Sequence, residues 1–358
     1  MSVPDLKAYI LAGATATGKS ATAQCLAEQM GCPILSADAM LVYQGMDIGT
    51  AKPTRQERGN VHYSGLDLVT PAEPFSTGRW LEAAREALAN DFNCFPHETH
   101  EKHEKCNSLR LCASAGKAKH SFVPVESLPT ATANCHCPPI VVGGTGLYIK
   151  ALTDGLESSE STPELRAKWQ TLFEREGLVG LQAALRERAP AVWESLPDTT
   201  NPRRLLRALE QLESDGKRPE QWKAIPRENT PIIVLTLPRE QLHRRIARRV
   251  DQMFEAGLLE EVRALREAYP AWSATASKAI GYEEALAHLN GTLSLEAARE
   301  KIIIRTRQLA KRQETWFRHQ SNAHWLQTSE TEPAAQLAQR VLDLWRNYGP
   351  TRIRIPGA

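Results

Sequence analysis

Tyr9-Ile10-Leu11-Ala12-Gly13-Ala14-Thr15-Ala16-Thr17-Gly18-Lys19-Ser20 decides how the rest of the chain is read. A short apolar run leads into Gly13, four intervening residues, then Gly18-Lys19-Ser20, which is the P-loop spacing. The two glycines allow a backbone path that turns successive N–H groups inward as a cradle for phosphate oxygens. Ala14, Thr15, Ala16 and Thr17 supply the amides between them. Lys19 adds a positive point charge, and the Ser20 hydroxyl is placed to hold Mg²⁺. The helix that begins there turns its positive dipole end to the same anion. Ala21, Leu26 and Met30 are its apolar positions and Gly31 is its stop. Whether the phosphate belongs to ATP or to another ligand stays open at this point.

The chain has 358 residues, 42% of them hydrophobic and 24% charged, a composition suited to a globular protein with a sizeable core. That length predicts two domains, or one large domain with insertions. Net charge is only +2, so a nucleic-acid site has to come from local clustering of basic residues. No run reaches membrane-spanning length and Met1–Ala12 lacks a signal-peptide core, so a cytoplasmic protein with no membrane partner is expected. The seven cysteines are odd in number, and no disulfide framework is expected.

Residues 1–90 read as the first part of an α/β core. Cys32–Ala37 is its second apolar strand, ending at Asp38, and the stretch from Asp38 to Pro53 has no clean period and reads as a functional loop. Thr77–Ala89 is helical, with Trp80, Ala84, Ala87 and Leu88 on one side. The segment 91–138 changes character: it is poor in large aliphatics and aperiodic, and reads as a disordered insertion. Five cysteines and five histidines fall in it, but no C-x₂-C pair does, so a zinc site is not expected. Structure resumes over 139–156 with Pro139–Val142 as a strand, the turn Gly143-Gly144-Thr145-Gly146, and a helix over Leu147–Leu152. Residues 157–228 read as a helical subdomain. Ile232–Leu237 then returns the chain to the sheet as its last strand, and 229–320 continues with helices over Arg239–Ala256, Leu258–Ala268 and Leu295–Gln320. A C-terminal helix and tail fill 321–358. The predicted fold is α/β: a P-loop NTPase-like parallel sheet core with an inserted helical subdomain and C-terminal helices.

A hydrolytic NTPase usually ends an apolar strand with a carboxylate for Mg²⁺. Neither Ile140–Val142 nor Ile232–Leu237 ends in one, and Asp38 is the carboxylate in that position. After the strand that follows the P-loop helix, such a residue faces an acceptor, which favours a transferase over a motor or switch. Thr145 would present its hydroxyl on the same rim. Arg239, Arg245 and Arg249 follow the strand at Ile232–Leu237, and Arg245 and Arg249, four apart on one helix face, can close on a diphosphate. Arg299–Arg318 holds seven basic residues. Lys301, Arg305 and Arg312 share one helix face, Arg307, Lys311 and Arg318 another, and Ile302, Leu309 and Trp316 form a sevenfold apolar stripe expected to face the core. Two basic flanks beside a buried stripe suit a helix lying along a phosphate backbone. Arg203, Arg204 and Arg207 form a second basic cluster. A small-molecule kinase with ATP in the loop, and a non-catalytic RNA-binding protein, remain alternatives.

At this point the residues resemble a known family, the tRNA dimethylallyltransferases (tRNA isopentenyltransferases). The matching segments are GATATGKS, ADAMLVYQGMDIGTAKPT, VVGGTGLYIKAL, NPRRLLRALE, PREQLHRRIARRVDQMFEAGLLEEV, SKAIGYEEAL and RQLAKRQETWFR. The resemblance implies transfer of a dimethylallyl group from dimethylallyl diphosphate to N6 of an adenosine beside the anticodon, in the anticodon stem-loop of tRNA. It implies that Thr15–Ser20 binds the diphosphate, that Ser20 holds Mg²⁺ as the cofactor, and that Asp38 is the base on N6, with Lys19 and Thr145 completing the catalytic set. The tRNA would touch Asp38, Ala39, Met40 and Leu41, together with Thr145 and Arg166. Further contacts would come from Arg203, Arg204, Leu205, Leu206 and Arg207, and from Lys278, Ala279, Ile280, Gly281, Tyr282 and Glu283. The basic helix would add Lys311, Arg312, Gln313, Glu314, Thr315, Trp316, Phe317 and Arg318. The chain is expected to act as a monomer. It departs from the family pattern at Ala39, usually Ser, at Leu41, often Gln, and at His62–Asp67, where a His-His-Leu-Asp stretch is loosened. A relative that prenylates free adenine nucleotides with the same core is the remaining alternative.

Overall fold

A computed structural model describes residues 6–91, 138–155, 162–196, 198–214 and 231–354. The expected insertion at 91–138 lies almost wholly outside them. The described chain divides into two compact units, Met1–Gly155 with Asn229–Ala358, and Leu156–Glu228.

In the first unit the apolar stretch before the P-loop becomes β1 (Lys7–Gly13), buried along most of its length. It sits in the middle of the sheet between β4 (Ile140–Gly143) and β5 (Ile232–Thr236), parallel to both. The strand β2 (Ile34–Ser36) lies beyond β4, and β3 (Tyr63–Ser64) forms that edge. β6 (Ala323–Gln327) runs parallel to β5 at the other edge, and β7 (Thr351–Arg352) pairs antiparallel with the start of β1. The order is β3-β2-β4-β1-β5-β6. Parallel strands need crossovers and bury both faces, which is why the inner strands are continuous apolar runs instead of alternating ones. α1 (Lys19–Met30) and α12 (Ala334–Tyr348) contribute to the main core, where Leu26, Leu337, Val341 and Trp345 meet Leu11, Ile34 and Ile233.

The remaining helices of this unit are α2 (Arg55–Arg58), α3 (Thr77–Glu86), α4 (Gly146–Asp154), α8 (Arg239–Glu255), α9 (Leu258–Ala268), α10 (Tyr282–Leu289) and α11 (Leu295–Gln320). α3 is capped by the Ser76 hydroxyl, which accepts from Arg79 N–H, and it buries Trp80 and Ala84 as the periodicity predicts. Gly13, Ser36, Gly143 and Thr236 end four parallel strands on one rim, the edge where open α/β sheets take ligands.

The structure corrects two expectations. β5 is not the last strand: β6 follows α11, so the segment 321–358 carries two strands besides its helix. Ala323-His324-Trp325-Leu326-Gln327 gives no apolar run because an edge strand is only half-buried. The sevenfold stripe on α11 also shifts. Ile302 is buried, but its partners on the core side are Ala298, Ala310 and Phe317, while Leu309 and Trp316 are half-buried. A straight helix drifts about 20° per heptad, so a strict sevenfold row walks off the core face.

Among the described residues the second unit holds three helices, α5 (Pro163–Arg188), broken at Gly177, α6 (Pro190–Ser195) and α7 (Pro202–Ser214). Trp169, Leu181, Leu185, Leu205 and Leu209 form its core.

Candidate functional site

The loop after β1 closes on itself before it offers anything to a ligand. Thr17 Oγ1 donates to Ala14 O at 2.8 Å, and Thr22 Oγ1 donates to Gly18 O at 3.0 Å. Gly18 has φ 94° and Ala16 φ 64°, both left-handed. Left-handed residues set among right-handed ones turn consecutive N–H groups into one concavity, the anion nest expected here. Ala16 carries no sequence signal for this, since its Cβ opposes the conformation by about 1–2 kcal/mol.

Three charged groups converge on the nest. Lys19 is almost wholly buried, and its Nζ donates to Ala14 O at 3.4 Å. Burial lowers its pKa from 10.5 to about 8, opposed by Asp38 and reinforced by Arg249. Arg249, from α8, donates through Nη1 to Thr15 Oγ1 at 3.3 Å and through Nη2 to Thr50 O at 2.9 Å. Burial depresses its pKa as well, and Asp38 again opposes the shift. Asp38 follows β2, and its Oδ1 accepts from Met40 N–H at 3.0 Å. Its charge is felt by both cations and by the buried Tyr148 hydroxyl, whose pKa is raised first by burial and then by Asp38. Thr15, Lys19, Ser20, Asp38, Leu41 and Arg249 line one cleft. Arg245, one helical turn from Arg249, lies over Gly18, where an added Cβ would meet its guanidinium at 3.6 Å. Arg239 is exposed at the first turn of α8.

The lowered pKa of Lys19 has a measurable consequence. Below about pH 8 the free protein already carries the ammonium; above it, binding an anion must first take up a proton. Diphosphate affinity is therefore expected to be flat with respect to Lys19 below that pH and to fall as pH rises through it. Binding isotherms across pH 7–10 for wild type and Lys19→Arg, which does not titrate in that range, check this: the two profiles should diverge above about pH 8. Parallel profiles would contradict it.

The polypeptide around Asp38 is held from several sides. Ala39 N–H donates to Thr145 Oγ1 at 3.0 Å, so the hydroxyl expected on the rim supports the Asp38 turn. Further on, Asp47 N–H and Ile48 N–H donate to Glu261 Oε2 at 3.1 and 2.8 Å, and the Tyr282 hydroxyl donates to Glu261 Oε1 at 2.6 Å. Lys52 Nζ, buried, donates to Tyr43 O at 2.7 Å and pairs with Asp47 at 2.6 Å and Asp67 at 2.5 Å. These latches fix the loop that carries Leu41 and Thr50. Glu261 was not singled out from sequence: it sits in an ordinary acidic helical turn, and its backbone partners, Asp47 and Ile48, are more than 200 residues away.

α11 reaches the same rim. Gln313 Oε1 accepts from Thr15 N–H at 2.9 Å, and its Nε2 donates to Gly144 O at 2.9 Å. Gly146 allows the Trp316 ring to approach, because a Cβ there would lie 2.1 Å from it. Thr236 Oγ1 donates to Glu314 Oε1 at 3.3 Å, and Phe317 is buried. Lys311, Arg312, Thr315 and Arg318 are exposed, with the Arg318 guanidinium 5.2 Å from the Trp325 ring. Arg305 is committed elsewhere. It pairs with Glu283 at 2.6 Å and with the fully buried Glu284, and donates to Lys278 O at 3.2 Å, which ties down the 278–284 segment. In that segment Ala279, Gly281 and Tyr282 are buried, Ile280 and Glu283 are half-buried, and Lys278 is exposed.

Within the second unit, Arg203 and Arg204 are exposed, Leu205 is a core residue and Leu206 is half-buried. Arg207 Nη1 lies 3.3 Å from the buried Glu210 carboxylate, and Arg166 Nε lies 4.0 Å from it.

A hard cation on a bound diphosphate has a fitting partner in Ser20. Its hydroxyl is exposed at the first turn of α1, and Mg²⁺ wants a few protein oxygens while keeping water and phosphate oxygens for the rest. Among the described residues no helix is long and apolar enough to cross a membrane.

Comparison with known proteins gives a consistent picture. The family model described as IPP transferase matches residues 41–93 and 127–320, and the one described as isopentenyl transferase matches residues 6–62. The first match breaks inside the stretch read from composition as an insertion. A tRNA dimethylallyltransferase of Kineococcus radiotolerans is 35% identical over 356 residues, covering 96% of this chain and 98% of that protein. One from Thermus thermophilus is 38% identical over 315 residues, covering 87% and 89%. Among solved structures, the full-length tRNA isopentenylpyrophosphate transferase of Bacillus halodurans superposes with a TM-score of 0.59 at 27% identity, covering 96% of this chain and 97% of that one. A eukaryotic dimethylallyltransferase acting on tRNA gives a TM-score of 0.68 at 24% identity, covering 96% and 76%, and shows the shared fold.

Proposed function

The chain belongs to the IPP transferase family, and from that premise we propose that it is a tRNA dimethylallyltransferase whose rim cleft takes dimethylallyl diphosphate as donor. The acceptor is N6 of the adenosine beside the anticodon, and the products are N6-(dimethylallyl)adenosine and diphosphate. The enzyme acts as a monomer on the anticodon stem-loop. One observation carries the reading: an anion nest with two cations, the buried Lys19 and the half-buried Arg249, shares one cleft with the Asp38 carboxylate.

The chemistry follows from those parts. Breaking the allylic C–O bond leaves negative charge on the departing diphosphate. The amides of Thr15–Ser20, the Lys19 ammonium and the Arg249 guanidinium stabilise it, and because they are already in place no reorganisation is needed in the transition state. Mg²⁺ held through Ser20 would supply further charge neutralisation on that diphosphate when bound. The adenine amine is a weak nucleophile and must lose a proton as its nitrogen bonds to the allylic carbon. Asp38 accepts that proton. Thr145 holds the turn that carries Asp38, and the 261–282 latch holds the loop that walls the cleft. An anticodon-loop base is already single-stranded, so extruding it costs less than from a duplex.

Equilibrium binding tests the choice of donor. Labelled dimethylallyl diphosphate is expected to bind and not to be displaced by equimolar ATP; preferential binding of ATP would point to a kinase. The exposed pair Lys311 and Arg312 is assigned to tRNA phosphates. Neutralising both is expected to weaken tRNA binding and reduce its salt slope by about one to two phosphate contacts, with donor affinity unchanged. A salt titration of binding checks this, and an unchanged slope would move the tRNA to another face.

A further inference from the structure

We propose that Gln313 is an internal competitor for the anion nest, a positioning residue whose side chain must give way when a diphosphate oxygen arrives. The inference rests on reading Thr15–Ser20 as the diphosphate cradle. The Thr15 N–H, one of the cradle's donors, is taken by Gln313 Oε1 at 2.9 Å, across 298 residues of sequence. The other end of the same amide donates to Gly144 O at 2.9 Å, so one side chain of α11 spans both glycine turns of the rim. The approach is close: a Cβ on Gly144 would lie 2.3 Å from Gln313 Nε2.

A single N–H cannot serve an amide carbonyl and a phosphate oxygen with good geometry at once. The charged oxygen wins, since hydrogen bonds with an ionised partner are roughly twice as strong as neutral ones. Its net gain is nevertheless reduced by whatever the Gln313 bond contributed. Lys311 and Arg312, both exposed, lie on the same helix as Gln313.

The test measures inorganic diphosphate binding to wild type, Gln313→Ala, Gln313→Leu and Gln313→Glu by calorimetry without tRNA, with thermal melts on each. Removing the competing oxygen is expected to tighten binding about 2- to 10-fold in the Ala and Leu variants, the net worth of one neutral hydrogen bond. Leu fills the space and keeps the measurement open if Ala loosens the helix. Gln313→Glu keeps an acceptor and adds negative charge, so it is expected to weaken binding. Opposite signs identify competition, because a merely structural role would weaken binding in all three. Prenyl transfer by wild type is followed in the same preparation. If transfer occurs but Ala and Leu bind diphosphate no tighter than wild type, the competitor role is overturned and the function stands. If wild type neither binds diphosphate nor transfers, both are overturned.

Discussion

Asp38→Asn is expected to bind dimethylallyl diphosphate and tRNA as wild type does, yet to transfer the prenyl group about 10²–10⁴-fold more slowly, the usual contribution of a general base. Asparagine keeps the size and one acceptor oxygen, so the bond from Met40 N–H to Oδ1 and the turn on Thr145 survive. It cannot take a proton at neutral pH, and the adenine amine then has to release its proton to solvent while it attacks. Single-turnover transfer at saturating substrates, beside separate binding of each ligand, separates the possibilities. Normal turnover would assign the proton to another group. Lost affinity for the magnesium–diphosphate complex, with the chemical step intact, would make Asp38 part of the cation site.

Lys19→Ala is expected to fail in the complementary way. Burial disfavours the ammonium and Asp38 across the cleft favours it, and a bound diphosphate would be its natural counter-charge. Its loss should weaken donor binding about 10- to 100-fold, the range for a hydrogen bond to an ionised group. Transfer at saturating donor should fall as well, because the departing diphosphate is less well stabilised, while tRNA binding alone should hold. Equilibrium dialysis of labelled donor against both variants gives the comparison. Donor affinity unaffected by Lys19→Ala would remove the nest from the diphosphate site.

The contrast between the two variants also marks how far the sequence alone could go. The strand, loop and helix around Gly13–Ser20 were legible because a nest needs glycine and lysine at fixed spacing, and that constraint is local. The start of α3 at Ser76 and the full extent of α11 were legible for a similar reason, since capping and helical period act over a few residues. Arg245 and Arg249 could be placed on one helix face by their spacing of four, and the structure brings both to the P-loop. What stayed hidden is long-range. Glu261 looks like any solvated acid until the fold carries the backbone of Asp47 and Ile48 onto it. Gln313 stood only among the tRNA contacts that the resemblance implied, yet its amide lies between two glycine turns. β6 escaped because an edge strand needs no apolar run, and the true core row of α11 escaped because seven is not a multiple of the helical period.

The most direct test of the whole reading is to mix the protein with dimethylallyl diphosphate, Mg²⁺ and unmodified tRNA, digest the tRNA, and weigh its nucleosides by mass spectrometry in parallel with Asp38→Asn. The expected result is an adenosine heavier by one dimethylallyl group, mapped beside the anticodon, formed by wild type and strongly slowed in the variant. Prenylation of free adenine nucleotides with tRNA untouched, or no prenyl transfer at all from a protein that binds both ligands, would contradict it.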